Sequence, residues 1–149
     1  MTSPKGAQEC IFCAAAERGV SVDTLTLART DSVVVMMNRY PYTNGHLMVA
    51  PVGHEARLYE TDASVLSELM TVTARTQRLL ADHYNADGFN IGMNFGEAAG
   101  AGVADHYHIH VVPRWSGDSN FMSVTAGTRI VPEDLEETWK RLRPAFESF

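Results

Sequence analysis

His106-Tyr107-His108-Ile109-His110-Val111-Val112 is the stretch whose reading decides the fold. Three histidines alternate with apolar residues, and a period of two marks a strand with two unlike faces. The three imidazoles are expected on one face. Tyr107, Ile109 and Val111 are expected on the other, turned into a core. A slip of one residue would exchange the two sets, so the register should be firmly held. Half of the chain's 6 histidines fall in this short run. Imidazoles packed so closely repel when protonated and satisfy few partners when neutral, which argues for a function. Spacing alone leaves two chemistries open: a metal centre on His106, His108 and His110, or a histidine nucleophile.

Outward from the strand, residues 96–105 (GEAAGAGVAD) are small and glycine-rich. Such a loop can turn its amides toward an anion and form a phosphate-binding nest. It delivers the chain directly onto the histidines, so a phosphate held there would lie against them. Before it, Phe89, Ile91, Met93 and Phe95 alternate with Asn90, Gly92 and Asn94 as a second two-faced strand. After the histidines, Arg114 and Trp115 suit phosphate or base recognition, with Trp115 equally suited to a core.

The chain has 149 residues, 45% of them hydrophobic, which fits one domain with one proper core. Residues 1–8 are expected to be a mobile tail and residues 9–149 a single domain. A net charge of −6 disfavours nucleic acid or an anionic membrane as the main partner but allows a small anion in a pocket. No apolar run is long enough to span a bilayer, and residues 1–8 lack the apolar segment of a signal peptide. A cytoplasmic location is therefore expected.

Residues 20–28, 33–37 and 46–51 read as three antiparallel strands, the first pair joined by the polar turn 29–32. Residues 38–45 (NRYPYTNG) form the loop before the third strand. Thr61 or Asp62 can cap a long helix to about Tyr84, with Val65, Leu66, Leu69, Val72, Leu79 and Leu80 near a 3.6 period. His83, close to its C-terminus where positive charge is mildly favoured, reads as structural. Pro132 suits the first turn of a last helix whose apolar stripe is Leu135, Trp139, Leu142 and Phe146. Strands followed and flanked by helices in this way make an α+β fold: an antiparallel sheet with one long helix and a C-terminal helix.

Cys10 and Cys13 are the only cysteines. Their Cys-x-x-Cys spacing reads as a metal half-site or a redox pair, or else as two small buried side chains. A zinc ion would need two more ligands, for which His54 and His106 are candidates. Four protein ligands would make the site structural, pinning the N-terminal segment to the edge of the histidine strand.

These residues resemble a known family. The run 106–112 is similar to the His-φ-His-φ-His-φ-φ triad of the histidine triad (HIT) superfamily, and residues 38–51 resemble that family's upstream segment. The resemblance extends from about Cys10 to Met122. The tail from Arg114 to Phe121 most resembles the bacterial branch containing diadenosine tetraphosphate phosphorylase, with fragile histidine hydrolases next. It implies a HIT-like fold, a homodimer, and cleavage of dinucleoside polyphosphates at the α-phosphate through a nucleotidyl-histidine. By the same resemblance His108 is the nucleophile, and His110 and Asn94 bind the phosphate. Gly102 and Val103 supply amides to it, Asn38 lies near the ribose, and His46 stands behind the triad. In zinc-bearing relatives the residue matching His106 is a ligand. Mg²⁺ could accompany the polyphosphate. At the position of Gly102 many hydrolases carry Gln and phosphorylase-like members Ser, so water and phosphate both stay open as second acceptor. Two other functions fit the same motifs: hydrolysis of nucleoside phosphoramidates, and a non-catalytic protein that senses AMP or binds a partner.

Overall fold

The computed structural model describes residues 9–103, 105–118 and 133–149. Helix α1 (Ile11–Arg18) leads into β1 (Thr26–Arg29), β2 (Val33–Met37) and β3 (Leu47–Pro51). Helix α2 (Ala63–Tyr84), β4 (Gly88–Gly92), β5 (Ile109–Arg114) and α3 (Leu135–Leu142) follow. The strands form one five-stranded antiparallel sheet in the order β1-β2-β3-β5-β4. The α+β expectation and the three-strand meander are both met.

Both β2 and β3 are buried at every position. Continuous apolar runs of this kind belong to strands covered on both faces. On one face α2 lays down Leu69, Val72 and Leu80, and the C-terminal segment adds Leu142 and Phe146. Tyr107, Ile109 and Val111 project into this core, as the alternation predicts. On the opposite face α1 packs Phe12 and Ala15 onto Val34, Met36, Met48 and Ala50. The long helix is placed as expected, with Asp62 at its N-cap, although no side chain caps its first turn. It ends on Asn85, whose φ of 50° is a left-handed conformation that asparagine tolerates.

Three expectations need correction. The strand expected over residues 20–28 shrinks to Thr26–Arg29, because Leu25 sits at φ 58° and breaks the extended run. The histidine strand begins at Ile109, so His106 and His108 lie in the extended approach to β5, not within its ladder. The strand expected over 89–95 stops at Gly92, where pairing with β5 ends at His110. His83 offers Nε2 as an acceptor. Arg141 Nε donates to its Nε2 at 3.1 Å, and burial followed by the Arg141 charge lowers its pKa. Arg141 thus supplies the cation near that helix end. The last helix starts one residue after Asp134, whose side chain accepts from the Glu137 amide. Pro132, Asn120, Phe121 and residues 1–8, expected to form a tail, fall outside the described residues.

Pro113 sits within β5, where a missing N–H would ordinarily break a ladder. Here β3 pairs only with residues 109–111, so the proline opposes Phe89 of β4 on one side and no β3 partner on the other. Its carbonyl accepts from Thr43 Oγ1 at 3.1 Å, tying the 38–45 loop to the end of the strand. The same loop is tucked in at Gly45, which has φ 80° and would bring a Cβ within 2.7 Å of the Tyr84 ring. Only glycine suits that position. Among the described residues no helix is long and apolar enough to cross a membrane.

Candidate active site and metal centre

The three histidines point to one side of the sheet, but that side is covered. His106 is fully buried and His108 is 6% exposed, both beneath α1, while His110 is half-buried. The alternation therefore separates two buried environments rather than core from solvent.

Hydrogen bonds assign a tautomer to each ring. His108 Nδ1 lies 3.1 Å from the carbonyl of His106. A carbonyl only accepts, so Nδ1 holds the proton and Nε2 keeps its lone pair. The Tyr42 amide donates to His46 Nδ1 at 3.2 Å, so the His46 proton sits on Nε2. That nitrogen is 2.8 Å from His110 Nδ1, which must accept. His110 is left with Nε2–H as a free donor. Asn38 Nδ2, also a donor, lies 3.5 Å from His46 Nε2 and gives way to the shorter bond. The Asn38 side chain is held the right way round by Tyr40 N–H, which donates to its Oδ1 at 2.8 Å.

These rings border a cleft of about 710 Å³. Ile11 and Phe12 of α1 form one wall, with Met36 and Met48 from β2 and β3 beside them. Asn38, Tyr40 and Tyr42 contribute from the 38–45 loop, and Gly100, Gly102 and Val103 from the glycine-rich loop. Asn94, His108 and His110 complete it. The glycine-rich loop turns at Gly96 (φ 75°) and Gly100 (φ 84°) around the short 3-10 turn Glu97–Ala99. Among the described residues the Gly102 and Val103 amides donate to no backbone carbonyl. A second hollow of about 540 Å³ shares Tyr42, Asn94 and His110 with the first.

All the residues expected at the nucleotide site thus come together: Asn38, Asn94, Gly102, Val103, His108 and His110 line the cleft, with His46 behind His110. Arg114 does not join them. It makes a bidentate pair with Asp118 at 2.8 and 2.9 Å and donates to Asn90 Oδ1 at 2.5 Å. Trp115 donates from Nε1 to the Tyr84 carbonyl at 3.3 Å and bolsters the end of α2. Sequence reasoning missed Phe12, whose ring lies over His108, and Tyr42, which orients His46 by its amide and stacks on it at 5.2 Å. Phe12 had a signal, since two cysteines bracket it.

The second cluster is Cys10, Cys13, His54 and His106, whose ligand atoms all lie within 4.8 Å of one another. His106 Nε2–H donates to the Pro51 carbonyl at 2.8 Å, which leaves Nδ1 bare and turned to the cysteines. Nδ1 is 3.3 Å from Cys10 Sγ, 3.6 Å from Cys13 Sγ and 3.2 Å from His54 Nδ1. Cys13 Sγ is 3.2 Å from His54 Nδ1. A tetrahedral ion with N and S ligands at zinc-like distances has edges of roughly 3.3–3.8 Å. Four of the six separations already stand near those values, and the carbonyl bond orients the buried imidazole as outer partners of metal ligands do. Burial, and then the neighbouring Cys10, push the Cys13 thiol up to about 11. Cys13 therefore keeps its proton at neutral pH until a cation displaces it. The donor set fits a structural divalent ion, with no position left for substrate.

The HIT domain family model matches residues 21–117. The chain belongs to the HIT family. This HIT protein is 39% identical over 118 residues to the AP-4-A phosphorylase of Mycobacterium tuberculosis, a match covering 79% of the chain and 60% of that relative. The chain therefore spans less than two thirds of that relative's length. It is 34% identical over 113 residues to an uncharacterized HIT-like protein of Saccharolobus solfataricus, covering 76% of the chain and 79% of the relative. Among solved structures, a zinc-bound histidine triad family protein from Mycobacterium smegmatis superposes with a TM-score of 0.73 at 30% identity, covering 94% of each chain.

Burial is the main force on the imidazoles. It lowers the pKa of His108 and, with His108 nearby, that of His110. His46 is lowered to about 4, by burial first and then by His110 and His108. An unfolded histidine titrates near 6.5. Between pH 6.5 and 4 the unfolded chain binds more protons at His46 than the folded one, so stability falls as pH drops through that window. Below about pH 4 this loss is complete. Urea titrations between pH 4 and 7 are expected to show this slope. His46→Gln is expected to flatten it by up to roughly 3 kcal/mol. An unchanged slope in the variant would show that His46 is not held neutral by the fold.

Proposed function

We propose that this HIT protein transfers a nucleoside monophosphate from a dinucleoside polyphosphate, such as diadenosine tetraphosphate, through His108 to phosphate or water. The observation that carries the proposal is the His108 Nδ1 bond to the His106 carbonyl, which leaves Nε2 as a neutral, unprotonated nucleophile bordering a nucleotide-sized cleft. A neutral imidazole in a fixed tautomer attacks phosphorus near pH 7 without a separate base. As the Nε2–P bond forms, the bond from phosphorus to the leaving polyphosphate oxygen breaks and its electron pair leaves with that oxygen. His110 Nε2–H, Asn94 and the Gly102 and Val103 amides are the donors for the non-bridging oxygens. Phosphate or water then attacks the same phosphorus and returns the electron pair to Nε2.

Similarity to the M. tuberculosis AP-4-A phosphorylase favours phosphate as acceptor, within the limit that the chain spans 60% of that relative. His108→Ala is expected to lower turnover of diadenosine tetraphosphate at least a hundredfold. More residual turnover would remove His108 from the nucleophile role. In the unmodified protein, product analysis in phosphate buffer separates the acceptors. Nucleoside diphosphate made from the nucleotidyl enzyme marks phosphorolysis, and monophosphate alone marks hydrolysis.

The Cys10, Cys13, His54 and His106 site is assigned to structural zinc, supported by its donor set and spacing and by the zinc-bound M. smegmatis relative. When bound, zinc would supply only a cross-link, holding α1 to the approach of β5. The assembly is assigned as a homodimer, supported by β4, an edge strand with Ile91 44% exposed and no partner beyond it among the described residues. Native mass spectrometry is expected to show a dimer carrying about one zinc per chain. A metal-free monomer at micromolar concentration would contradict both assignments.

A further inference from the structure

Phe12 occupies an unusual place. It is fully buried on α1, between the two cysteines, with its ring against two imidazoles. Its centroid is 4.6 Å from that of His108 with 29° between the planes, a stacked contact. On its other flank it meets His106 at 5.1 Å and 43°. Val34, Met36, Met48 and Ala50 pack the rest of the ring, so it has little room to turn. Helix α1 has only 8 residues, too few to be stable alone, and Cys10 and Cys13 anchor it on either side of Phe12.

The charge on His108 changes during the proposed reaction. Before attack the ring is neutral, with its proton on Nδ1 held by the His106 carbonyl. When Nε2 forms a bond to phosphorus and Nδ1 keeps that proton, the ring becomes a substituted imidazolium. An aromatic face attracts a cation within about 6 Å of its centroid, and the attraction strengthens away from water. The Phe12 face therefore interacts more strongly with the nucleotidylated ring than with the free one. An interaction stronger in the transition state than in the ground state raises the rate of the chemical step.

We infer that Phe12 is a positioning residue for the nucleophile, which fixes the plane of the His108 ring and stabilises the imidazolium formed on nucleotidyl transfer. This rests on the reading of His108 as nucleophile. Phe12 acts through His108 and needs no contact with the reacting phosphorus.

The test replaces Phe12 in the full-length, as-isolated protein by phenylalanines bearing one, two and three ring fluorines. Fluorination withdraws charge from the ring face with little change of shape, so packing and the cysteine anchors stay in place. Chemical quench of a single turnover with diadenosine tetraphosphate reads the rate of adduct formation on His108. Melting temperature and AMP affinity are read in parallel. The rate is expected to fall stepwise along the series, by about three- to thirtyfold in all and by more than any change in AMP affinity, with melting unchanged. Phe12→Leu, which removes the face altogether, is expected to fall at or below the end of the series. Equal rates across the fluorinated series, in a protein that forms the adduct, would overturn this inference alone. Absence of adduct in the unmodified protein would overturn the nucleophile reading and this inference with it.

Discussion

The bond from His108 Nδ1 to the carbonyl of His106 is the interaction on which the rest depends. It joins two residues two apart in an extended segment, and it requires that segment to be pinned from both sides. One side is pinned by Tyr107, buried in the main core with its hydroxyl 2.7 Å from Thr61 Oγ1. The Tyr107 amide also donates to the Glu55 carbonyl at 2.9 Å. The other side is pinned by the His106 ring, whose Nε2 donates to Pro51 and whose Nδ1 faces the cysteines. His106 thus contributes its carbonyl to one site and its imidazole to the other. The metal-type cluster and the cleft beside it are two uses of a single residue.

Neutrality follows from the same geometry. Four imidazoles, His46, His106, His108 and His110, are buried or half-buried together, and desolvation lowers the pKa of each. Neutral rings can alternate donor and acceptor nitrogens along a chain, as they do from Tyr42 N–H through His46 to His110. Protonating His46 or His110 would turn an acceptor into a donor and break the relay. The cost of burying polar rings is offset because nearly every ring nitrogen turned away from the cleft has a partner. The nitrogens that remain are His108 Nε2, with a lone pair, and His110 Nε2, with a proton: one acceptor and one donor side by side.

Much of this was legible in the chain. The alternation over 106–112 correctly sent Tyr107, Ile109 and Val111 to the main core. The Cys-x-x-Cys spacing and two histidines gave the full metal-type set, because ligand chemistry restricts candidates to a few residue types. The apolar runs of β2 and β3 were also readable as strands. What escaped was whatever depended on a second layer. An alternating strand does not say whether its polar face meets water or another helix, so the burial of His106 and His108 under α1 was invisible. Leu25 shortened β1 through a backbone conformation that its side chain does not advertise. Arg114 looked available for phosphate because nothing in the linear order shows that Asp118, four residues on, closes back on it. The role of Tyr42 rests on its amide, which every residue but proline possesses.

The hydrogen bonds fix a pattern of protons: on Nδ1 of His108, on Nε2 of His46 and on Nε2 of His110. Long-range ¹⁵N–¹H correlation of the histidine rings near pH 7 reads that pattern directly, since protonated and bare ring nitrogens resonate far apart. A protonated Nδ1 and a bare Nε2 are expected for His108, with the opposite arrangement for His46 and His110. A His108 ring protonated on Nε2, or on both nitrogens, would contradict it, because no lone pair would then face the cleft.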